Sequence, residues 1–192
     1  MKRNLRPRAM MYPAPAVVAS AYDSDGNADA CTLAFATMCS HHPPAVMIAI
    51  NSTLKRKTLA SILEKREFCI GFPSVENASE ADYLGIESGY NVNKIENINF
   101  TAKRAEFVDA PIIDEFKVSL ECRVMAINEI GSHTQITGEI VNIQADNDVL
   151  DGKDKVILER LNPLAYDDVT HSYYRMGERI DDAFKMGLKY KR

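Results

Sequence analysis

Phe116-Lys117-Val118-Ser119-Leu120-Glu121-Cys122-Arg123-Val124-Met125-Ala126-Ile127 alternates over most of its length. Phe116, Val118, Leu120, Cys122, Val124 and Ala126 fall on one side, Lys117, Ser119, Glu121 and Arg123 on the other. A period of two sends successive side chains to opposite faces of a sheet, so this is a strand with one apolar face; only Met125 and Ile127 blur it. Residues 128–132 read as a turn and 133–143 as the returning strand. Upstream, residues 15–22 form a β-type run that stops at Asp23-Ser24-Asp25-Gly26-Asn27, turn formers among which Gly26 accepts positive φ. A small-residue segment, 30–40, reads as one long second strand. Residues 45–50, apolar on both faces, form a third, entered through Pro43-Pro44.

The helical signals are fewer. Leu59, Ile62 and Leu63 recur at helical spacing within residues 58–65. Residues 67–72 return to strand, Pro73 ends it, and 76–86 suit a helix with Ser74 as cap. Residues 88–111 are irregular and Asn-rich. The end of the chain carries a weak helix at 156–161, an aromatic loop, and an amphipathic helix at 178–188. Strands outnumber helices, early and late hairpins dominate, and the expected architecture is a closed or nearly closed antiparallel barrel with a few helices. The 192 residues suit one domain, with a basic arm at 1–11 and a C-terminal extension at 146–192.

Composition narrows the function. Apolar residues make up 46% and charged residues 26%, as in an ordinary globular protein. Lys plus Arg number 23 against 27 Asp plus Glu, a net charge of -4, which speaks against gripping nucleic acid by its backbone. Cys31, Cys39, Cys69 and Cys122 sit scattered in apolar runs and read as buried free thiols, with no metal-ligand spacing. The basic start leads into no long apolar stretch, and residues 43–50 are too short to span a bilayer, so a cytoplasmic protein with no membrane partner is expected.

Two stretches carry candidate chemistry. In Asn51-Ser52-Thr53-Leu54-Lys55-Arg56-Lys57-Thr58, three cations precede the helix at 58–65. A helix N-terminus is already positive, so cations there are unfavourable unless an anion binds; free N–H groups with Ser52, Thr58, Arg56 and Lys57 match a phosphate. The other reading is a solvated charged loop with Thr58 as a simple cap. In Asp29-Ala30-Cys31-Thr32-Leu33-Ala34-Phe35-Ala36-Thr37-Met38-Cys39-Ser40, small side chains would let a flat ring lie against the backbone, with hydroxyls from Thr32, Thr37 and Ser40 nearby. A tightly packed strand facing a helix explains the same composition.

These residues, taken in order, resemble the flavin reductase-like, FMN-binding split-barrel family, particularly its flavoredoxin-like branch. Pro15, the Asp23 to Gly26 turn, Thr32, Pro43-Pro44, and Thr58 with Ile62 follow the family pattern. Ser88-Gly89-Tyr90-Asn91-Val92-Asn93-Lys94 resembles its S-G-x-x-V-x-K segment. Ala110-Pro111-Ile112-Ile113 and Leu120-Glu121-Cys122 resemble its A-P-x-I and L-E-C segments. The resemblance implies a homodimeric, antiparallel Greek-key split β-barrel with FMN near the subunit boundary. Asp29, Ala30, Cys31, Thr32, Leu33 and Ala34 would then run along the isoalloxazine, with Ser40 close by. Asn51, Ser52, Arg56, Lys57 and Thr58 would hold the phosphate. Asp29 stands where the family has Asn; a carboxylate cannot donate a hydrogen bond and disfavours anionic reduced flavin, so it either flanks the ring or turns away. Phe35 stands where many relatives have Trp.

His133, in Gly131-Ser132-His133 with Gly138-Glu139 after it, resembles the G-D-H-x-x-x-x-G-E segment whose histidine lies near flavin and nicotinamide. It is the candidate catalytic residue, although Ser132 replaces the orienting Asp. His41 and His42 read as loop residues. Tyr166, His171, Tyr173 and Tyr174 would cover the flavin, cross to a partner subunit, or pack on their own barrel, with Tyr173 the candidate flavin contact. The expected activity is that of a flavoprotein oxidoreductase, passing a hydride from NADH or NADPH to flavin N5. One rival is a flavoredoxin-like electron carrier reduced by a partner protein. A more remote one is a small barrel binding oligonucleotides or other anions, although its strands lack interleaved exposed aromatics.

Overall fold

Regular structure begins at Ala14. The computed structural model describes residues 1–191, and residues 1–11 are exposed and form neither helix nor strand. Strands β1 (Ala14–Pro15) and β2 (Val17–Tyr22) lead into a turn in which the Asp23 carboxylate accepts the N–H groups of Asp25 and Asn27, at 3.0 and 2.8 Å. Gly26 takes φ +82° there, as the turn requires. Next come β3 (Ala28–Leu33), β4 (Ala36–His41), β5 (Pro44–Asn51), α1 (Lys57–Lys65) and β6 (Glu67–Gly71). A single 3-10 turn joins a capping box at Ser74 to α2 (Ala78–Ile86). The irregular stretch holds α3 (Lys94–Asn97), β7 (Ala102–Arg104) and β8 (Pro111–Ile113). The long hairpin is β9 (Val118–Ile130) and β10 (His133–Ala145), reversing through Gly131 at φ +57° and Ser132. A one-turn helix α4 (Leu158–Leu161) precedes a second hairpin, β11 (Leu164–Asp167) and β12 (Ser172–Arg175).

Seven strands form the main sheet in the order β3-β2-β6-β9-β10-β5-β4, every pair antiparallel. Its two edges, β3 and β4, are consecutive in the chain. The step from Leu33 to Ala36 spans about 10 Å at full extension, so the edges must meet at that corner and the sheet must curl. No ladder joins them, and the barrel is split rather than closed. This corrects the reading of residues 30–40 as one strand: the chain breaks at Ala34-Phe35 to cross between edges, and the Phe35 carbonyl accepts the N–H of Ala49 at 2.9 Å.

Val17, Ala19, Cys31, Ile48, Ile50, Ile62, Phe68, Leu120, Cys122 and Ile136 fill the barrel. A second cluster, Ala16, Val18, Ala30, Ala81, Leu84 and Ile95 among it, packs α2 and α3 over the outside of β2 and β3. The polar row of β9 is not all solvated: Ser119 and Glu121 are buried. Glu121 accepts hydrogen bonds from the Phe107 N–H (2.6 Å) and the side-chain amides of Asn142 and Gln144 (both 2.7 Å). Burial opposes its ionisation, but these bonds outweigh it and hold the carboxyl below its ordinary range. Thus the acid of Leu120-Glu121-Cys122 staples a loop, while its neighbours fill the barrel.

Two other expectations are corrected. Cys39 is exposed, because β4 is an edge strand; Cys31, Cys69 and Cys122 are buried free thiols. Burial pushes the Cys122 thiol up to about 12. Residues 178–188 do not form an α-helix; only a 3-10 segment, Met186–Tyr190, occurs there. Ile180 and Phe184 are exposed, and so short a helix is marginal in water without a surface to cover. No helix of the described residues is long and apolar enough to cross a membrane.

Candidate functional site

The corner between the sheet's edges forms one wall of a cavity of about 760 Å³. Cys31, Thr32, Leu33, Ala34 and Phe35 line it there, and Ala49, Ile50 and Asn51 continue the wall along β5. Leu54 and Arg56 close the end beside α1, while Gly85 and Ile86 arrive from α2. Ser132 and His133 enter from the β9–β10 turn, since His133 pairs with Asn51 across the ladder. The opposite wall is the β11–β12 hairpin, with Tyr166, Asp168, His171 and Tyr173. The hairpin therefore packs on its own barrel, held through β1, whose Ala14 pairs with Tyr166.

The structure brings together Cys31, Thr32, Leu33, Ala34, Asn51, Arg56, His133 and Tyr173 of the expected site. The Thr32 hydroxyl is already engaged, donating to the Ala81 carbonyl of α2, so only the rest of the residue is available to a ligand. His133 stacks on Phe35, with ring centroids 5.0 Å apart and planes 22° from parallel. Ser132 Oγ lies 2.9 Å from His133 Nδ1, so the hydroxyl that replaces the family's carboxylate is in reach of the ring. When Ser132 donates, the proton of neutral imidazole sits on Nε2. Tyr173 donates to Asp82 of α2 at 3.0 Å, and Tyr166 meets His171 Nδ1 at 2.9 Å. Burial first, then the Asp82 carboxylate, raises the Tyr173 phenol above its usual value, so it stays protonated.

The expected anion site contracts. Lys57 is not on the cavity; its ammonium pairs with Asp23 at 2.8 Å. Burial works against the Asp23 carboxylate, yet hydrogen bonds from Lys57 and Asn27 prevail and hold its pKa at about 2. Ser52 is exposed and folds back on the Ser132 carbonyl through its N–H (3.0 Å) and hydroxyl (3.3 Å). Asn51 builds the turn, its Oδ1 accepting from the Thr53 N–H at 2.9 Å and hydroxyl at 2.6 Å. Arg56 remains, donating to the Glu87 carbonyl at 3.3 Å. It precedes a helix end with no side-chain cap and no acid in its first turn. Such an end presents free backbone donors and a positive dipole. Ser40, His41 and His42 are exposed at the far end of β4 and do not line the cavity.

Behind this wall lie Asp29 and Thr58, which the sequence reading set against the ligand, together with Lys94, which it did not. Asp29 is buried, and its Oδ2 accepts from the Thr58 hydroxyl at 2.5 Å. Its Oδ1 lies 3.3 Å from the ammonium of Lys94, itself only 2% exposed. Lys94 also donates to the carbonyls of Ala30 and Leu84, the latter at 3.4 Å. Asp29, Ala30 and Thr58 thus support the cavity from behind and do not line it. Gly89 packs against the Asp29 carboxylate so closely that a Cβ there would overlap it. The Ser88-to-Lys94 motif was the available signal: its glycine permits the approach and its lysine supplies the countercharge. Leu54, Asp82, Gly85 and Ile86 carry no motif and are visible only in the fold.

Among the described residues, no group of three or more His, Cys, Asp or Glu side chains is placed to hold a metal ion. The flavin reductase-like domain model matches residues 9–174. The flavoredoxin of Desulfovibrio vulgaris (Miyazaki F) is 32% identical, with a TM-score of 0.92 covering 97% of this chain and 100% of that one. The flavoredoxin of Methanosarcina acetivorans is 25% identical, again with a TM-score of 0.92, covering 99% of each chain. An uncharacterised protein of Aquifex aeolicus is 28% identical over 159 residues, 81% of each chain. From the domain match and the two flavoredoxin structures, the chain belongs to the flavin reductase-like family, in its flavoredoxin branch.

Proposed function

We propose that the cavity holds FMN and that the protein is a flavoprotein oxidoreductase, reduced by NADH or NADPH and acting as a homodimer. One observation carries the reading: a single cavity joins the small-residue corner at Cys31 to Phe35 to the uncapped end of α1 at Arg56. Its volume lies in the range of small-molecule sites, with a mostly apolar wall and a few convergent polar groups. One end offers a cation and free N–H donors, as a phosphate requires. The donor set therefore fits a flat ring with a phosphorylated tail.

Arg56 and the first turn of α1 would bind the phosphate. Cys31 to Ala34 would flank the ring, leaving room through their small size. Phe35 fixes the plane of His133, Ser132 engages Nδ1, and Nε2 is left for a substrate-side contact. Tyr166 and Tyr173 exclude water from the opposite side. FMN, when bound, supplies a centre that accepts hydride at N5 and releases electrons to an acceptor. The second copy as partner rests on the family resemblance.

The likeness to two flavoredoxins along nearly the whole chain favours a second reading, an FMN electron carrier reduced by a partner protein. Rapid mixing of the FMN-loaded protein with excess NADH or NADPH separates the two. Bleaching of the flavin absorbance faster than in buffer supports the reductase, and no acceleration leaves the carrier. The site itself is tested by Arg56→Ala, expected to weaken FMN about tenfold or more while leaving riboflavin nearly unchanged. Equal losses for both ligands would sink the phosphate assignment. Failure to take up either flavin would sink the whole reading.

A further inference from the structure

Among the described residues Lys94 is the one buried cation, and its countercharge is the equally buried carboxylate of Asp29, 3.3 Å away. The pair sits one residue back from the cavity on more than one side. Lys94 bonds the carbonyl of Ala30, which precedes Cys31, and that of Leu84, which precedes Gly85. Asp29 bonds Thr58, two residues beyond Arg56. Charges in the interior are weakly screened and act over longer distances than surface charges. An unpaired ammonium here would impose a positive potential on the cavity, and any ligand state with more negative charge would bind better.

We propose that Asp29 is a positioning residue that cancels the charge of Lys94 behind the cavity wall and so lowers the site's preference for reduced over oxidised flavin. The inference rests on the flavin reading above. Reduced flavin carries the extra negative charge, and the ratio of its affinity to that of the oxidised form sets the bound potential by linkage. With Asp29 present the ammonium contributes little to that ratio. With an amide it would contribute fully. The same carboxylate ties β3 to α1, so the charge effect must be separated from a purely mechanical one.

The full-length protein, Asp29→Asn, Lys94→Met and the double variant are loaded with FMN, and reduction potentials are measured by equilibration with a reference dye. Asp29→Asn is expected to shift the potential positive, equivalent to about a tenfold gain in the affinity ratio for reduced flavin. Lys94→Met leaves a buried negative charge and is expected to shift it the other way. The double variant, which removes both charges, is expected to return within about twofold of wild type. Shifts of one sign in both single variants, or a double variant displaced as far as the singles, would mean a mechanical clamp and overturn the proposal. An unchanged potential in Asp29→Asn would overturn it too, with the flavin reading intact. Wild type that takes up no FMN removes the reading and the proposal together. Should Asp29→Asn not fold, a negative shift in Lys94→Met that the double variant cancels still supports the proposal, and a double variant shifted as far as Lys94→Met overturns it.

Discussion

The two walls of the cavity are built differently. On the barrel side, the corner at Cys31 to Phe35 is backed by buried polar bonds: Lys94 with Asp29, Ala30 and Leu84, and Asp29 with Thr58. On the hairpin side, the β1 ladder and one half-buried side-chain bond, Tyr173 to Asp82, tie β11 and β12 to the barrel, and Tyr166 to His171 is a contact within the hairpin. Losing one group on the first side strands a charge in the interior. Losing one on the second returns a polar group to water. The barrel wall is therefore fixed by the cost of breaking it, whereas the hairpin wall is held by a two-residue ladder with β1 and by packing of Leu164, Tyr166 and Tyr173 on the outer cluster.

That contrast breaks most readily at Lys94. Lys94→Met leaves the Asp29 carboxylate buried without its counter-ion and should cost about 3–5 kcal/mol, read from the urea midpoint of the ligand-free protein. A loss under about 1 kcal/mol would mean that the barrel wall is no firmer than the hairpin. Tyr173→Phe removes one hydrogen bond to a partner that water can reach, and should cost about 1 kcal/mol in the same measurement. A cost rivalling that of Lys94→Met would erase the distinction.

The smallest effect belongs to the rim, where Asp23 pairs with Lys57. Its carboxyl is held at about 2 in the folded chain against an ordinary 3.8, so the folded state favours the ionised form. The stability it contributes is complete above about pH 4 and is lost as pH falls through about 2. Asp23→Asn should flatten the pH dependence of unfolding in that window and leave stability at neutral pH within about 1 kcal/mol. An unaltered acid limb would place the acid sensitivity elsewhere, with buried Glu121 the next group to examine.

Much of the barrel was legible because its strands carry local signals. The alternation of residues 116–127 follows from a sheet that buries one face, and Gly26 and Pro43-Pro44 mark points where a ladder cannot continue. The amphipathic spacing of Leu59, Ile62 and Leu63 placed α1 to within a residue. The break at Ala34-Phe35 was not legible, since small residues suit a strand and a corner equally. Nor was the fate of residues 178–188, where helical spacing exists but no surface is offered to it. In the site, charge and size marked the helix end and the small-residue run with a structural reading open beside each, and the family resemblance favoured the ligand reading. The roles of Lys57, Thr58 and Asp29 were not, because each is taken by a partner remote in sequence.

The chain by itself determined the strand order of its hairpins, the place of the first helix, and a motif set that names the family. Those follow from periodicity, turn chemistry and local propensity, which act over a few residues. Only the tertiary structure decided that two edge strands meet at a split, that Arg56 rather than Lys57 faces the cavity, and that Asp29 turns to a buried lysine. The physical reason is that a charge chooses its partner by distance and burial, and both are fixed only when the sheet has curled.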